Sequence, residues 1–413
     1  MRKMPKYISS FLIIILSGSF FVLNAQDRKL INKHIKKLTS KSFHGRGYVK
    51  QGDRKAANYL KQQFKSYGLE TIDGNYFQPY EMRMNTFPKT PKIEIDHKKM
   101  KAGYEFVISA SATNIKGEFD CIYLPLNPKQ KEKDLSTVFL VGTKEQKELL
   151  KTNIYKAKGF VYLNKNQPIW SVRSGRDTSS YCVIKVKKDA IHDSIKHLRL
   201  EVQPEFIPHY KTQNVWGLIK GKMHPDSIIM IGAHYDHLGR FGKVFYPGAN
   251  DNASGTAMLL ELARYFSLPE NQPECSILFA LFSGEEAGLL GSKFMAEEFP
   301  FEYEQVKYMI NLDMVGAGSE GIKMVNATQF SFIYERMKKI NEENQYLKAV
   351  KSRGESCNSD HCPFYDKGIP AVFIYTLGSE TKAYHDPQDN FKNLPLTEFE
   401  DLFKLLRNFV EDN

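Results

Sequence analysis

The apolar positions divide the chain into three stretches of different character. In the first, Leu30, Ile31, Ile35 and Leu38 recur at helical spacing. A second amphipathic helix is predicted over about 54–67, where Ala56, Ala57, Leu60 and Phe64 share a face, and Gly68 stands where a helix-ending glycine is expected. From Phe87-Pro88 to about Tyr210 the pattern shifts to short β-rich runs, such as Phe139-Leu140-Val141 and 182–186, separated by polar, lysine-rich connections. The third stretch holds nearly continuous apolar runs at 228–233, 276–282, 308–312 and 371–375, with helical patterns between them, for example 255–266 and 287–298. Continuous apolar strands alternating with helices mark an α/β sheet covered on both faces, because such strands are buried on both sides. The expected organisation is one domain built from 26–87 and 211–413, with 88–210 inserted as a β-rich unit.

The first 25 residues follow another rule. Arg2, Lys3 and Lys6 precede an apolar stretch at 11–23, and Asn24-Ala25 offers a cleavage point before Gln26, which is the order of a secretory signal peptide. The stretch is short for a membrane span and no later one approaches the length. The expectation is an exported chain, secreted or periplasmic, without stable membrane insertion after cleavage.

Of 413 residues, 42% are hydrophobic and 25% charged, which excludes collagen-like, coiled-coil and wholly disordered classes. The net charge is +11, yet basic runs such as Lys98-Lys99-Met100-Lys101 are scattered, so no nucleic-acid partner is expected. Five cysteines with no Cys-x-x-Cys pair argue against a disulfide scaffold and a thiolate zinc site. Cys357 and Cys362 are close enough in sequence to bridge in an oxidising compartment.

Chemistry concentrates at the strand ends. The first run leads into His234-Tyr235-Asp236, and a turn at 248–255 carries Asp251. The second run ends in Ser283-Gly284-Glu285-Glu286, the third in Asp313, and a late loop holds Tyr384-His385-Asp386. Any one of these has an ordinary reading, since a lone Asp at a strand end usually caps a helix or makes a turn. Together they present imidazoles and carboxylates to one sheet edge, where α/β sheets build their sites. Two histidines and three carboxylates suit a pair of hydrolytic divalent ions, zinc being the first choice, with a further carboxylate free to act as base. Asp236, two residues beyond His234 on extended backbone, is placed to accept that imidazole's other N–H. His237 reads as a loop residue.

The segments 232–236, 248–255, 283–286, 311–313 and Ser359-Asp360-His361-Cys362-Pro363-Phe364 resemble the M28 family of di-zinc aminopeptidases, as does Phe43-His44-Gly45-Arg46-Gly47 near the start. The resemblance implies a zinc-exopeptidase (phosphorylase-like) fold, a mixed, mostly parallel sheet sandwiched by helices. It further implies two zinc ions, one held by His234 and Asp313 and the other by Glu286 and His385, with Asp251 bridging, Glu285 as general base and Asp236 orienting His234. The substrates implied are peptides. Asp360 and His361 receive no ligand role, and either wall the pocket or support it. Relatives carry a disulfide near Cys357 and Cys362. Asp386 stands where many relatives have Thr or Ser, which leaves every ligand in place but alters the pocket locally. Relatives insert a protease-associated domain where 88–210 lies, so that region is read as a lid or substrate-selecting module.

Three alternatives stay open. Glutaminyl cyclases share the fold but use a single zinc for acyl transfer. Carboxypeptidase or dipeptidase activity occurs on the same scaffold. A non-catalytic ectodomain is the third, although it predicts lost ligands and none is lost. The complete ligand-and-base set favours a hydrolase.

Overall fold

A computed structural model describes residues 27–146, 152–191 and 194–412; the expected signal segment lies outside them. Helix α1 (Arg28–Leu38) begins at Asp27, whose carboxylate accepts the Leu30 N–H at 3.0 Å. Helix α2 (Gly52–Tyr67) buries Ala56, Ala57, Leu60 and Phe64 and ends at Gly68, φ 79°, whose N–H reaches the Lys65 carbonyl. Both helices form because one apolar stripe each can be buried against the body.

The main sheet has eight strands among the described residues: β1 (Phe77–Thr86), β2 (Glu205–Ile219), β3 (His224–His234), β4 (Cys275–Phe282), β5 (Val306–Leu312), β6 (Ile322–Val325), β7 (Val350–Ser352) and β8 (Ala371–Thr376). Their order is β1-β2-β4-β3-β5-β8-β6-β7. The centre, β4-β3-β5-β8, is parallel, while β1/β2, β2/β4 and β8/β6 are antiparallel. The sheet is therefore mixed with a parallel centre, and its central strands are the continuous apolar runs. Helix α3 (Gly255–Phe266) is buried nearly all round, and α4 (Leu290–Glu297), α5 (Ser331–Asn344), α6 (Cys362–Asp366) and α7 (Phe399–Glu411) complete the helical set used here. α4 starts three residues later than the periodicity predicts, because 284–289 form a turn closed by the Leu290 N–H on the Gly284 carbonyl. One core lies between α1, α2, α3, α7 and the sheet; a second, with Met230, Leu278, Phe282, Met295 and Phe364, fills the other face.

A second eight-stranded sheet is built from 92–202, parallel in its middle and antiparallel at both flanks. The expected boundary at 210 falls inside β2, which pairs with β1 from Glu205 opposite Thr86 to Val215 opposite Phe77. The half-exposed start of β2 carries polar residues like those of the inserted sheet, which is why composition misplaced the edge. β1 and β2 form a stalk for the inserted sheet. The two bodies share a core in which Phe87, Phe106, Trp170, Phe241 and Tyr246 meet.

Candidate metal centre

Register sets the site. In β3, His234 lies opposite Phe282 of β4, three residues before Glu285, while Gly232 lies opposite Asn311 of β5, two before Asp313. The carboxyl ends of three adjacent parallel strands thus deliver His234, Glu285-Glu286 and Asp313 to one edge. The 249–254 turn brings Asp251 over them from the start of α3.

Asp251 sits at the centre. Its Oδ1 is 3.4 Å from Nε2 of His234, which is 3.3 Å from Oδ1 of Asp313. Its Oδ2 is 3.3 Å from Nε2 of His385, which is 3.0 Å from Oε2 of Glu286. Two donors on one tetrahedral zinc, each about 2.0–2.1 Å from it, lie roughly 3.3 Å apart. These separations fit two ions sharing Asp251, one oxygen each. The charge balance fits as well. Asp236, Asp251, Glu286, Asp313, Asp360 and Asp389 are all buried, and Arg46 is the fully buried guanidinium among them. Burying that many acids together is costly without cations.

His237 lies in the loop that follows β3, as expected from the sequence. It is wholly buried, and it, Asp251 and Glu286 each offer an atom within 4.8 Å of the others, as do His234, Asp251 and Asp313. Its Nδ1 lies 2.7 Å from Oε1 of Glu286, a hydrogen-bond length shorter than the spacing of two ligands on one ion, and 3.9 Å from Asp251. Nδ1–H of His237 therefore donates to Glu286, and His385 has the better geometry for a ligand.

Asp236 reaches His234 differently from the expected way. His234 Nδ1–H donates to the backbone carbonyl of Asp236 at 3.2 Å, and the Asp236 carboxylate is 3.7 Å away. That carboxylate instead accepts Tyr48 O–H at 2.8 Å and the Glu285 N–H at 3.2 Å, tying the 284–289 turn to the end of β3. Glu285 is partly exposed. Burial, with Asp360, Glu286 and Asp313 nearby, pushes its carboxyl well above the usual range despite His234. Glu286 moves the other way: burial would raise it, but His385 and His237 hold it down at about 2. Two adjacent glutamates are thereby given opposite proton affinities.

The turn carrying Asp251 is fastened on every side. Asn250, Asn252 and Ser254 bond to the strand exit after Asp313: Gly316 N–H to Asn250, Met314 N–H to Asn252, Val315 N–H to Ser254. Asp389 accepts the N–H groups of Asn250 and Asp251 at 2.8 and 3.1 Å. Arg46 donates to the carbonyls of Tyr235, Pro247 and Gly248 at 2.7, 2.6 and 2.8 Å, with longer bonds to Leu38 and Asp251. Its flanking glycines are required by contact, since a Cβ on Gly45 would lie 2.3 Å from the Tyr246 carbonyl and one on Gly47 2.5 Å from Gly239. Arg46 and Asp389 escaped sequence reasoning as site residues because their partners are remote in sequence.

Ser359 donates to Oδ2 of Asp313 at 2.8 Å and accepts from Asn311, so the 359–364 segment supports Asp313. Asp360 is buried beside it, pushed up to about 7 by burial and by Asp236 and Asp313, against the pull of His234. His361 donates its Nε2–H to the Ser356 carbonyl at 2.8 Å. Cys357 and Cys362 form a disulfide that closes this segment. Asp386 leaves the centre and caps the next turn through the Gln388 N–H. Tyr384, 47% exposed, stacks on His385 with centroids 4.0 Å apart.

Residues 214–410 match the model of peptidase family M28. Aminopeptidase YwaD of Bacillus subtilis (strain 168) is 31% identical over 224 residues, 51% of this chain and 47% of the relative. A probable leucine aminopeptidase of Arthroderma otae is 32% identical over 216 residues, 50% of this chain and 59% of the relative. The chain thus spans about half the length of the curated relatives it matches. Among solved structures, the aminopeptidase from Aneurinibacillus sp. strain AM-1 superposes with TM-score 0.69 at 23% identity, covering 94% of this chain and 93% of that one. The zinc aminopeptidase BSAP from Bacillus subtilis gives TM-score 0.71 at 20% identity, covering 93% and 94%. At those identities the likeness is one of fold, and it takes in the inserted sheet.

Proposed function

We propose that this chain, whose residues 214–410 match the model of peptidase family M28, is an exported, two-zinc aminopeptidase that removes N-terminal residues from peptides. The observation that carries the proposal is Asp251, whose two oxygens face two separate donor sets. His234, Asp251 and Asp313 would hold one ion; Asp251, Glu286 and His385 the other. Zinc bound there polarises the scissile carbonyl and lowers the pKa of the attacking water. Glu285 ligates nothing in this scheme. It accepts the water's proton at its carboxylate and hands it to the leaving amine. Asp236 holds the Glu285 backbone, and Tyr48 holds Asp236. The aminopeptidase reading is supported by the names of the relatives, and export by the order of charged and apolar residues at 1–25. No helix among the described residues is long and apolar enough to cross a membrane.

The test is Glu285→Gln. Turnover of a free-amine peptide falls at least 100-fold, the range of a lost general base, while zinc content stays at wild type. Activity within tenfold of wild type would remove Glu285 from the mechanism.

A further inference from the structure

A backbone atom of the inserted body reaches the metal centre. Trp170 belongs to the 92–202 segment, and its indole is anchored in the core shared by the two bodies. Nε1–H donates to the Ile108 carbonyl at 3.2 Å, and the ring lies 5.0 Å from Phe241 and 5.2 Å from Tyr246. The Trp170 carbonyl faces the other way and lies 2.9 Å from Nδ1 of His385. A carbonyl only accepts, so Nδ1 carries the proton and Nε2 is left with the lone pair. That Nε2 is the atom 3.3 Å from Asp251 and 3.0 Å from Glu286.

The two imidazoles are held in different ways. His234 ends a central strand and is oriented by the carbonyl of Asp236, two residues along its own chain. His385 sits in a loop outside the strands, at φ 51°. The carbonyl that orients it lies 215 residues away, in the inserted body. A loop-borne ligand without that partner is free to turn its ring, and an imidazole that turns presents the wrong nitrogen.

We propose that Trp170 is a positioning residue for the second zinc ion, and that the inserted sheet is a structural part of that site. The proposal rests on the two-zinc reading. It makes the two ions unequal: the His234–Asp313 set forms within the M28-matching segment, whereas the Glu286–His385 set needs the insert docked. Displacing the insert then costs the second ion while the first remains.

The experiment is a zinc competition titration against a chromophoric chelator on the full chain, comparing wild type, Trp170→Ala and Trp170→Phe. Loss of an outer hydrogen-bond partner of a metal-bound histidine lowers affinity by about 10–100-fold. Trp170→Ala should show a loss of that order at one of two sites, and Trp170→Phe, which keeps an aromatic ring in the core but not the hydrogen bond to Ile108, a smaller one. Nitrogen-15 spectra of histidine in the zinc-loaded wild type give a readout independent of any variant's folding: His385, assigned by its loss in His385→Gln, should carry its proton on Nδ1. Wild type binding two ions while Trp170→Ala keeps both affinities would overturn the proposal alone. A His385 proton on Nε2 would do the same. Wild type binding fewer than two ions would bring down the two-zinc reading itself.

Discussion

At the scale of single residues, burial and hydrogen bonding decide which of many similar side chains can work. Glu285 and Glu286 are neighbours, yet one is pushed up by burial and acidic company and the other held down by two histidines. Arg46 shows the same logic for a cation, since a guanidinium has enough N–H groups to clamp several carbonyls at once and an ammonium has not. Arg46→Ala should lower unfolding free energy by about 3–5 kcal/mol, the cost of breaking a buried charged network, as read by urea denaturation; a loss under 1 kcal/mol would show that the turn holds without it. His34 supplies a pH test away from the centre. It is wholly buried between Tyr59 and Tyr67, and burial, helped by Lys33, lowers it to about 4 from 6.5. Its folded value is depressed, so its contribution is complete above pH 6.5 and is lost as pH falls towards 4. His34→Gln should flatten the fall in stability across that window, by at most about 3 kcal/mol at 1.36 kcal/mol per unit. Identical slopes in the two proteins would contradict it.

At the scale of elements, the continuous apolar runs and the helix over 255–266 were legible because a strand or helix buried all round has no polar face to confuse the period. Of the seven residues singled out, strand register carries His234, Asp236, Glu285, Glu286 and Asp313 to one edge, while a turn and a late loop bring in Asp251 and His385. His237 was not legible, since nothing in sequence separates a buried hydrogen-bond donor from a loop histidine. Nor was the insert's edge, because β2 runs from a half-exposed stalk into the core as one strand. The orienting role expected of the Asp236 side chain fell to its backbone carbonyl, which side-chain pattern cannot reveal. Fastening of the Asp251 turn to the exit of β5 belongs to this scale. Asn252 both donates to the Leu312 carbonyl and accepts from Gly255 and Met314. Asn252→Ala leaves those buried groups unpaired, so the apo chain should lose about 2–4 kcal/mol and zinc affinity should drop with it. Stability lost without any change in zinc binding would confine Asn252 to a packing role.

At the scale of the whole molecule, the two sheets meet across a shared apolar cluster, and on the proposed reading metal binding and docking of the insert are coupled. Zinc binds only the folded centre in this account. With free zinc a thousandfold above the dissociation constant, each site adds about 4 kcal/mol of stability. Chelation should therefore lower the melting temperature by several degrees, and zinc should restore it. The inserted sheet, read as a lid, should also govern selectivity: variants in its loop beside Trp170, such as Ile169→Asp, should shift relative kcat/KM among peptides. Ile169 is 46% exposed beside Trp170, so the change costs little core packing; unchanged preference across a peptide panel would remove the lid from substrate choice.

The central claim is N-terminal peptide cleavage by a two-zinc centre, and the most direct measurement is the rate at which the zinc-loaded full chain hydrolyses a peptide and its N-acetylated twin. The account predicts release of the first residue from the free-amine peptide, loss of that activity on chelation with return on adding zinc, and no cleavage of the acetylated twin. Equal cleavage of both peptides, release from the carboxyl end, or cyclisation of an N-terminal Gln in place of hydrolysis would contradict it.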